Sequence, residues 1–378
     1  MSEFPRAIGI KRYGPVELAA LLAGWGQPQF RARQLLRWLY GRAAIDYAEM
    51  SNLPASLRQR LAAEEPLAAP LVVQRLESVD GSRKYLLELA DGQRIETVAI
   101  PDGERLTVCF STQVGCAMGC AFCATGRLGL VRSLAPGEML DQLLVVTRDF
   151  DRRVTNAVAM GEGEPLANYD ATLAALRLMN SPDGLSIGAR HLTLSTCGLL
   201  GGLRRLSSEP EQFTLAVSLH SAVQATRNQL MPALSNTPLP LLRQTLSNYA
   251  EKTGRRPSLE YALIAGVNDT EAEIAALLEF CHGLLAHVNL IPLNSASGEA
   301  CNQAASPDTG ADAGAGAGAG AGVSAGEAEA EIASPFSPTP APRVREIVAA
   351  LEAARVPHSL RRSRGADIQG ACGQLAAQ

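Results

Sequence analysis

Gly115-Cys116-Ala117-Met118-Gly119-Cys120-Ala121-Phe122-Cys123 sets three cysteines within eight residues, spaced C-x3-C-x2-C. Thiolate is the soft ligand that holds iron–sulfur clusters and zinc. Both metals normally want four ligands in a closed structural site. A local count that stops at three leaves one metal an open position, which is where catalytic metals do chemistry. The bland alternative is a zinc knot that borrows a fourth ligand elsewhere. Only five histidines occur, none near these cysteines in sequence, which weighs against zinc.

On the C-terminal side of this stretch, strands and helices alternate. Short apolar strands are expected at 106–110, 157–160, 192–195, 214–219, 259–263 and 288–291, and amphipathic helices at 136–150, 169–179, 239–252 and 271–285. Such alternation implies a parallel sheet with right-handed crossovers. Six units are fewer than a closed eight-stranded barrel needs, so an open, partial barrel fits. Each strand ends in a small or polar cluster: the cysteine loop, Gly161–Pro165, Ser195–Gly198, Ser218–His220, Gly266–Asp269 and Pro292–Asn294. Singly, each is a turn or a cap. Together they would converge at the strands' C-terminal ends, where β/α barrels build their sites.

On the N-terminal side the periodicity is two. Strands are expected at 71–76, 84–89 and 94–100, turned at Asp80-Gly81 and Asp91-Gly92, a strong hairpin signal. Residues 1–70 read as a separate helical region. Arg31, Arg33, Arg37, Arg42, Arg58 and Arg60 make it locally basic, either as a solvated helix face or as phosphate contacts.

The chain has 378 residues, 47% hydrophobic but only 4% aromatic, so aliphatic side chains must fill its core. The net charge of −4 argues against a surface coated in basic residues and leaves a local basic patch open. No apolar run reaches the ~18 residues of a membrane span, and the first residues lack an apolar signal core. The expectation is a cytoplasmic protein without membrane contact. Its eight cysteines then read as metal ligands or redox groups before structural disulfides. Residues 310–326 are almost pure Gly/Ala and are followed by glutamates and prolines, which reads as a disordered linker. Ordered structure is expected again near Arg343, with a helix to Arg355 and a strand at 358–361.

The cysteine spacing, with Phe122 before the third cysteine, resembles the radical S-adenosylmethionine (SAM) enzymes. The non-linker chain resembles one group among them, the RlmN/Cfr family of radical SAM RNA methyltransferases, with RlmN-like members matching best. The resemblance is carried by Phe30–Gln34, Arg94–Pro101, Ser111–Cys116, Gly163–Leu166, Leu192–Thr196, Ala216–His220 and Arg364–Leu375. It implies an α/β fold: an open, partial β/α barrel of the radical SAM type, with a small N-terminal helical accessory domain and a short antiparallel β extension. The divisions expected are 1–70 (helical, RNA-binding), 71–101 (hairpin extension), 102–301 (barrel), 302–342 (linker) and 343–378 (end of core and reactive tail).

The resemblance also implies the chemistry. A 4Fe–4S cluster on Cys116, Cys120 and Cys123 would bind SAM at its fourth iron. Gly163, Glu164, Ser195, Ser218, Leu219, His220 and Asn294 match the family's SAM contacts; a carboxylate such as Glu164 suits the SAM ammonium. The reaction implied is methylation of carbon 2 of adenosine in 23S rRNA (the adenosine 2503 type) and tRNA (the adenosine 37 type), using two SAM molecules. Carbon 2 is electron-poor and the SAM methyl electrophilic, so polar transfer has no nucleophile and the cofactor must supply a radical. Cys372 would take the methyl of one SAM as thiolate, with Arg361, Arg362 and Arg364 as candidate neighbours. A 5′-deoxyadenosyl radical from the second SAM would remove hydrogen from that methyl. The resulting carbon radical would add to the ring, tethering RNA to Cys372. Cys109, seven residues before Cys116, would release it through a transient disulfide, and Glu96 matches the family's proton acceptor. A flavodoxin-like or ferredoxin-like electron donor and a monomeric state are expected.

Without the family, Glu96 reads as a solvent-facing strand residue, Cys109 as a small buried residue and Cys372 as an exposed tail thiol. Cys197 and Cys281 read as core and Cys301 as linker. Glu162 stands where the family usually carries Met. A Cfr-like enzyme acting at carbon 8, a radical enzyme acting on a small molecule or peptide, and a non-catalytic zinc-stabilised RNA-binding module remain open here.

Overall fold

The computed structural model describes residues 4–294 and 336–377. Most of the expected linker, and Cys301, lie outside the described residues. The helices α1 (Pro15–Gly24), α2 (Phe30–Leu36) and α3 (Ala55–Glu64) come first, and the α2 segment runs on as a wider turn through Arg37–Gly41. Strands β1 (Leu71–Glu77), β2 (Arg83–Glu88) and β3 (Arg94–Asp102) follow as an antiparallel meander, its turns at the two Asp-Gly pairs. Strand β4 (Arg105–Cys109) pairs antiparallel with β3, so the extension is continuous with the barrel sheet.

Beyond β4 the chain makes a small hairpin of β5 (Gln113–Cys116) and β6 (Gly129–Ser133), with the cysteine loop and α4 (Ala124–Leu128) between them. The regular alternation then runs α5 (Pro136–Phe150), β7 (Asn156–Ala159), α6 (Tyr169–Asn180), β8 (Leu192–Thr196), α7 (Leu200–Leu206), β9 (Thr214–Ser218), α8 (Gln224–Leu230), α9 (Leu239–Thr253), β10 (Ser258–Leu263), α10 (Glu271–Cys281), β11 (His287–Pro292), α11 (Ala341–Ala353) and β12 (His358–Leu360). The order in the sheet is β1-β2-β3-β4-β7-β8-β9-β10-β11-β12, and every pairing from β4 to β12 is parallel. Its ends, β1 and β12, do not meet. The open α/β barrel is as expected, with β12 as a seventh parallel strand.

Two boundaries differ from the sequence reading. The chain before Arg343 is already fastened to the barrel from Ser337 on: Ala265 N–H donates to the Ser337 carbonyl (2.9 Å), and Thr339 Oγ1 donates to Asp269 (2.9 Å). These bonds fasten the approach to α11 onto the loop after β10, which a composition argument cannot see. Nor does the N-terminal unit stand apart. Leu18, Leu22, Leu35, Met50 and Leu61 belong to the same apolar core as Val108, Phe110 and Leu140. Helices of 7 and 10 residues cannot bury their apolar faces alone. A buried ion pair, Lys11 Nζ to Asp141 Oδ1 at 2.6 Å, joins this unit to α5. Among the described residues no helix is long and apolar enough to cross a membrane.

Candidate active site

Two cavities open at the C-terminal ends of the parallel strands, and Cys372 lines both. The first holds the cluster loop. Its walls carry Cys116, Cys120 and Cys123, with Gly163 and Glu164 after β7, Ser195 on β8, Ser218 and His220 around the end of β9, and Asn294 after β11. The family-matched SAM positions therefore converge, with one exception. Leu219 is fully buried and belongs to the apolar core rather than to the cavity wall.

The local folding of these positions has physical causes. Gly163 has φ +99°, and a Cβ there would lie 2.6 Å from the Gln113 Cβ, so only glycine lets the β7 loop close onto β5. Both Glu164 oxygens already accept backbone N–H bonds, from Leu166 (2.9 Å) and Cys197 (2.7 Å). Glu164 thus shapes the cavity as well as lining it. His220 sits at φ +55°. Its Nδ1 faces the Ala262 N–H at 3.0 Å and its ring meets Phe122 edge-on at 4.6 Å. Burial, with the nearby Arg227 charge, drops its pKa to about 3. Nδ1 accepts, so the proton sits on Nε2. This histidine both meets the Ala262 backbone and lines the first cavity.

The three cysteines fit an iron–sulfur cluster. All face one cavity, and burial pushes the Cys116 thiol up to about 11 and raises Cys120 as well, so metal binding must displace protons there. Cys197 lines the same cavity but hydrogen-bonds to Glu164, and burial raises its thiol strongly. Its sulfur is engaged with the Glu164 carboxylate. Among the described residues no group of three or more His, Cys, Asp or Glu is placed to hold a single metal ion.

The second cavity holds Cys109 from β4, Arg105, and the tail residues Arg361, Arg362 and Arg364. Cys109 and Cys372 thus share a wall. Burial raises the Cys109 thiol, and the Cys372 charge adds to that. Cys372 is open to the cavities, yet surrounding protein still raises its thiol; Arg361 opposes this, with Glu260 acting the other way. Of the three tail arginines, Arg361 is the one that bears on both cysteines. Arg364 stands 3.7 Å from Asp102.

The tail is docked rather than loose. Ala124 N–H donates to the Gly373 carbonyl (2.8 Å), and Thr125 Oγ1 donates to the Leu375 carbonyl (2.6 Å), so the helix after the cluster loop holds it. Asn294 Nδ2 reaches the Cys372 carbonyl at 3.4 Å. Glu96 is buried, not solvent-facing: Oε1 lies 2.9 Å from Lys84 Nζ and Oε2 accepts the Ala376 N–H at 2.8 Å. It lines neither cavity in this arrangement. Glu162 is also buried; its carboxylate accepts from Glu96 N–H (2.8 Å), Gly115 N–H (3.3 Å) and the Ala377 backbone. Burial pushes its pKa up to about 7.

Sequence reasoning missed Lys84, Met160 and Glu260. Glu260 lines the first cavity with Oε2 lacking a hydrogen-bond partner, 3.8 Å from Arg361. An acid at a buried position of an apolar strand was the signal available. The N-terminal arginines are largely engaged: Arg33 and Arg37 pair with Asp183, Arg60 with Glu64, and Arg42 stacks on Trp38.

Comparison with known proteins agrees with this geometry. Residues 10–65 match the ribosomal RNA large subunit methyltransferase N-terminal domain, and residues 110–280 match the radical SAM superfamily. The "Probable dual-specificity RNA methyltransferase RlmN" of Symbiobacterium thermophilum is 40% identical over 364 residues, 95% of this chain and 88% of the relative. Its namesake from Moorella thermoacetica is 40% identical over 370 residues, 96% and 95% respectively. A crystal structure of a radical SAM methyltransferase from Sphaerobacter thermophilus superposes with TM-score 0.82 at 39% identity, covering 98% of this chain and all of that one. The cofactors are accordingly a 4Fe–4S cluster and SAM. This chain belongs to the RlmN family of radical SAM RNA methyltransferases.

Proposed function

We propose that the chain methylates carbon 2 of adenosine in 23S rRNA and in tRNA, with Cys372 as the carrier of the one-carbon unit. The observation that carries this reading is the place of Cys372 in the wall between two cavities, cluster cysteines on one side and Cys109 on the other. When bound, the cluster and SAM supply a carbon-centred radical to the first cavity. Cys116, Cys120 and Cys123 hold the cluster; Gly163, Glu164, Ser195, Ser218, His220 and Asn294 seat SAM, with Leu219 keeping the turn between Ser218 and His220 packed.

The Cys372 sulfur, as thiolate, takes a methyl group from one SAM. That methyl then gives one hydrogen atom to the radical, and its carbon joins the adenine ring. The adduct sheds one electron, which the bound cluster would take up, and one proton. Arg361 favours the thiolate. Glu96 accepts the ring proton once Ala376 gives up its Oε2, and Lys84 balances its charge. The Cys109 thiolate attacks the Cys372 sulfur and forms a disulfide. The electron pair of the broken sulfur–carbon bond stays on carbon, which takes a proton to become the methyl group. An external reductant reopens the disulfide; one SAM gives the methyl group and a second gives the radical, so each turnover uses two. Arg105, Arg362 and Arg364 line the second cavity, where cationic groups suit phosphate.

The test is nucleoside mass spectrometry on unmodified 23S rRNA and tRNA incubated with anaerobically reconstituted enzyme, SAM and reductant. The expected product co-elutes with 2-methyladenosine and is absent with Cys372→Ala. Co-elution with 8-methyladenosine would move the reaction to carbon 8. Reductive SAM cleavage without any methyladenosine would defeat the proposal.

A further inference from the structure

Arg227 is fully buried in α8, yet most of its charge has no partner. Nη2 donates to the Cys197 carbonyl at 2.8 Å and reaches the Ser218 carbonyl at 3.5 Å. Nε and Nη1 have no hydrogen-bond partner, and among the described residues no carboxylate pairs with it. A guanidinium left this way is among the costliest things a fold can bury. Native interiors satisfy such groups, so an orphan points to something that arrives later.

The position says what arrives. One turn beyond Arg227, the Leu230 carbonyl accepts the Ala121 N–H of the cluster loop at 2.9 Å. The nearby charges that act on Arg227 are those of Cys197 and Cys120, and Arg227 acts in turn on Cys120 and His220. His220 stays neutral and Cys197 hydrogen-bonds to Glu164. Neither supplies a stable anion. Cys120 becomes a thiolate only on binding metal, and a thiolate-ligated cluster is negative, more so after taking an electron.

We propose that Arg227 is the built-in counter-charge of the 4Fe–4S cluster, a positioning residue that stabilises the reduced cluster and so sets how readily it accepts an electron from its one-electron donor. Charge and burial near a cluster are recognised levers on its potential. The inference depends on the cluster alone and not on which adenine carbon is methylated.

Full-length protein is reconstituted anaerobically with iron and sulfide, without RNA, as wild type, Arg227→Met, Arg227→Gln and Arg227→Lys. A dithionite titration followed by electron paramagnetic resonance reads the reduced-to-oxidised ratio at fixed potential. Met and Gln should lower that ratio at least tenfold, a downward shift of about 59 mV for a one-electron couple. Lys, which keeps the charge, should stay within threefold. Melting of the metal-free protein supplies the second reading: Arg227→Met should match or exceed wild type, because it removes a buried charge that no carboxylate offsets. Ratios for Met and Gln within threefold of wild type would overturn the proposal. So would metal-free Met and Gln variants that melt lower or fail to fold, which is what a guanidinium that only braces the Cys197 turn would produce.

Discussion

Glu162 places a carboxylate among the buried backbone of Glu96, Gly115 and Ala377, and its environment gives it a measurable signature. Burial holds its pKa near 7, against an ordinary value of 4.5. The unfolded chain releases this proton near the ordinary value and the folded chain keeps it until about 7. Between those values the native state binds more protons, so stability falls as pH rises and levels off above 7. In the metal-free protein, Glu162→Gln should remove that decline. The variant should gain up to about 3 kcal/mol relative to wild type between pH 5 and pH 8, read from urea midpoints at each pH. A wild-type curve flat across this window would refute the assignment. Cys109 offers a second test. If it releases RNA from Cys372, Cys109→Ala should stop at the tether, leaving protein covalently joined to RNA on a denaturing gel. Cys109→Ala/Cys372→Ala should show no such band. The sequence carried the identity of these two thiols only through resemblance. It could not show that they share a cavity wall, because β4 and the tail are 263 residues apart in the chain by their numbers, 109 and 372.

Helix α5 was legible to its ends, and the reason is local. Pro136 opens it, Glu138 accepts the Ala135 N–H (2.8 Å), and Asp151 closes it in the left-handed region. The β5–β6 hairpin and α8 were not read, because segments of 4 to 7 residues carry too little periodicity. The tail's docking was not legible either, since its partners come from several elements distant in the chain. Asp367 is one anchor: it accepts from Ser78 Oγ (2.6 Å) and Val79 N–H (3.2 Å) in the turn after β1. Glu96 and Thr125 are others. Hydrogen bonds to a charged group contribute about 1.5–3 kcal/mol. Asp367→Ala should therefore speed amide exchange across residues 366–377 by one to two orders of magnitude, while exchange in α5 stays unchanged. Equal protection in both proteins would mean that the Asp367 contacts add nothing to tail docking.

The two tryptophans, Trp25 and Trp38, both lie in the N-terminal helical unit, and this makes the question of separate domains testable. The change of periodicity near residue 70 suggested a separate unit, but one core runs through both parts. Two kinds of ion pair cross the junction. Arg33 and Arg37 reach Asp183 from exposed positions, and exposed pairs contribute roughly 0.2–1 kcal/mol each. Lys11 and Asp141 are almost fully buried, and a Cβ on Gly137 of α5 would lie 2.4 Å from the Lys11 Cβ. Removing one partner of a buried pair costs about 3–5 kcal/mol, whereas replacing both by apolar groups recovers most of it. Tryptophan fluorescence should therefore follow the same urea transition as far-ultraviolet circular dichroism, which reports mainly the barrel. Asp183→Ala should leave the two curves superposed and barely shifted. Lys11→Met should move both to lower urea together, and Lys11→Met/Asp141→Leu should bring them back toward wild type. If fluorescence instead melts first in the wild-type protein, the N-terminal unit is a domain docked on the barrel and the shared core does not make them cooperative.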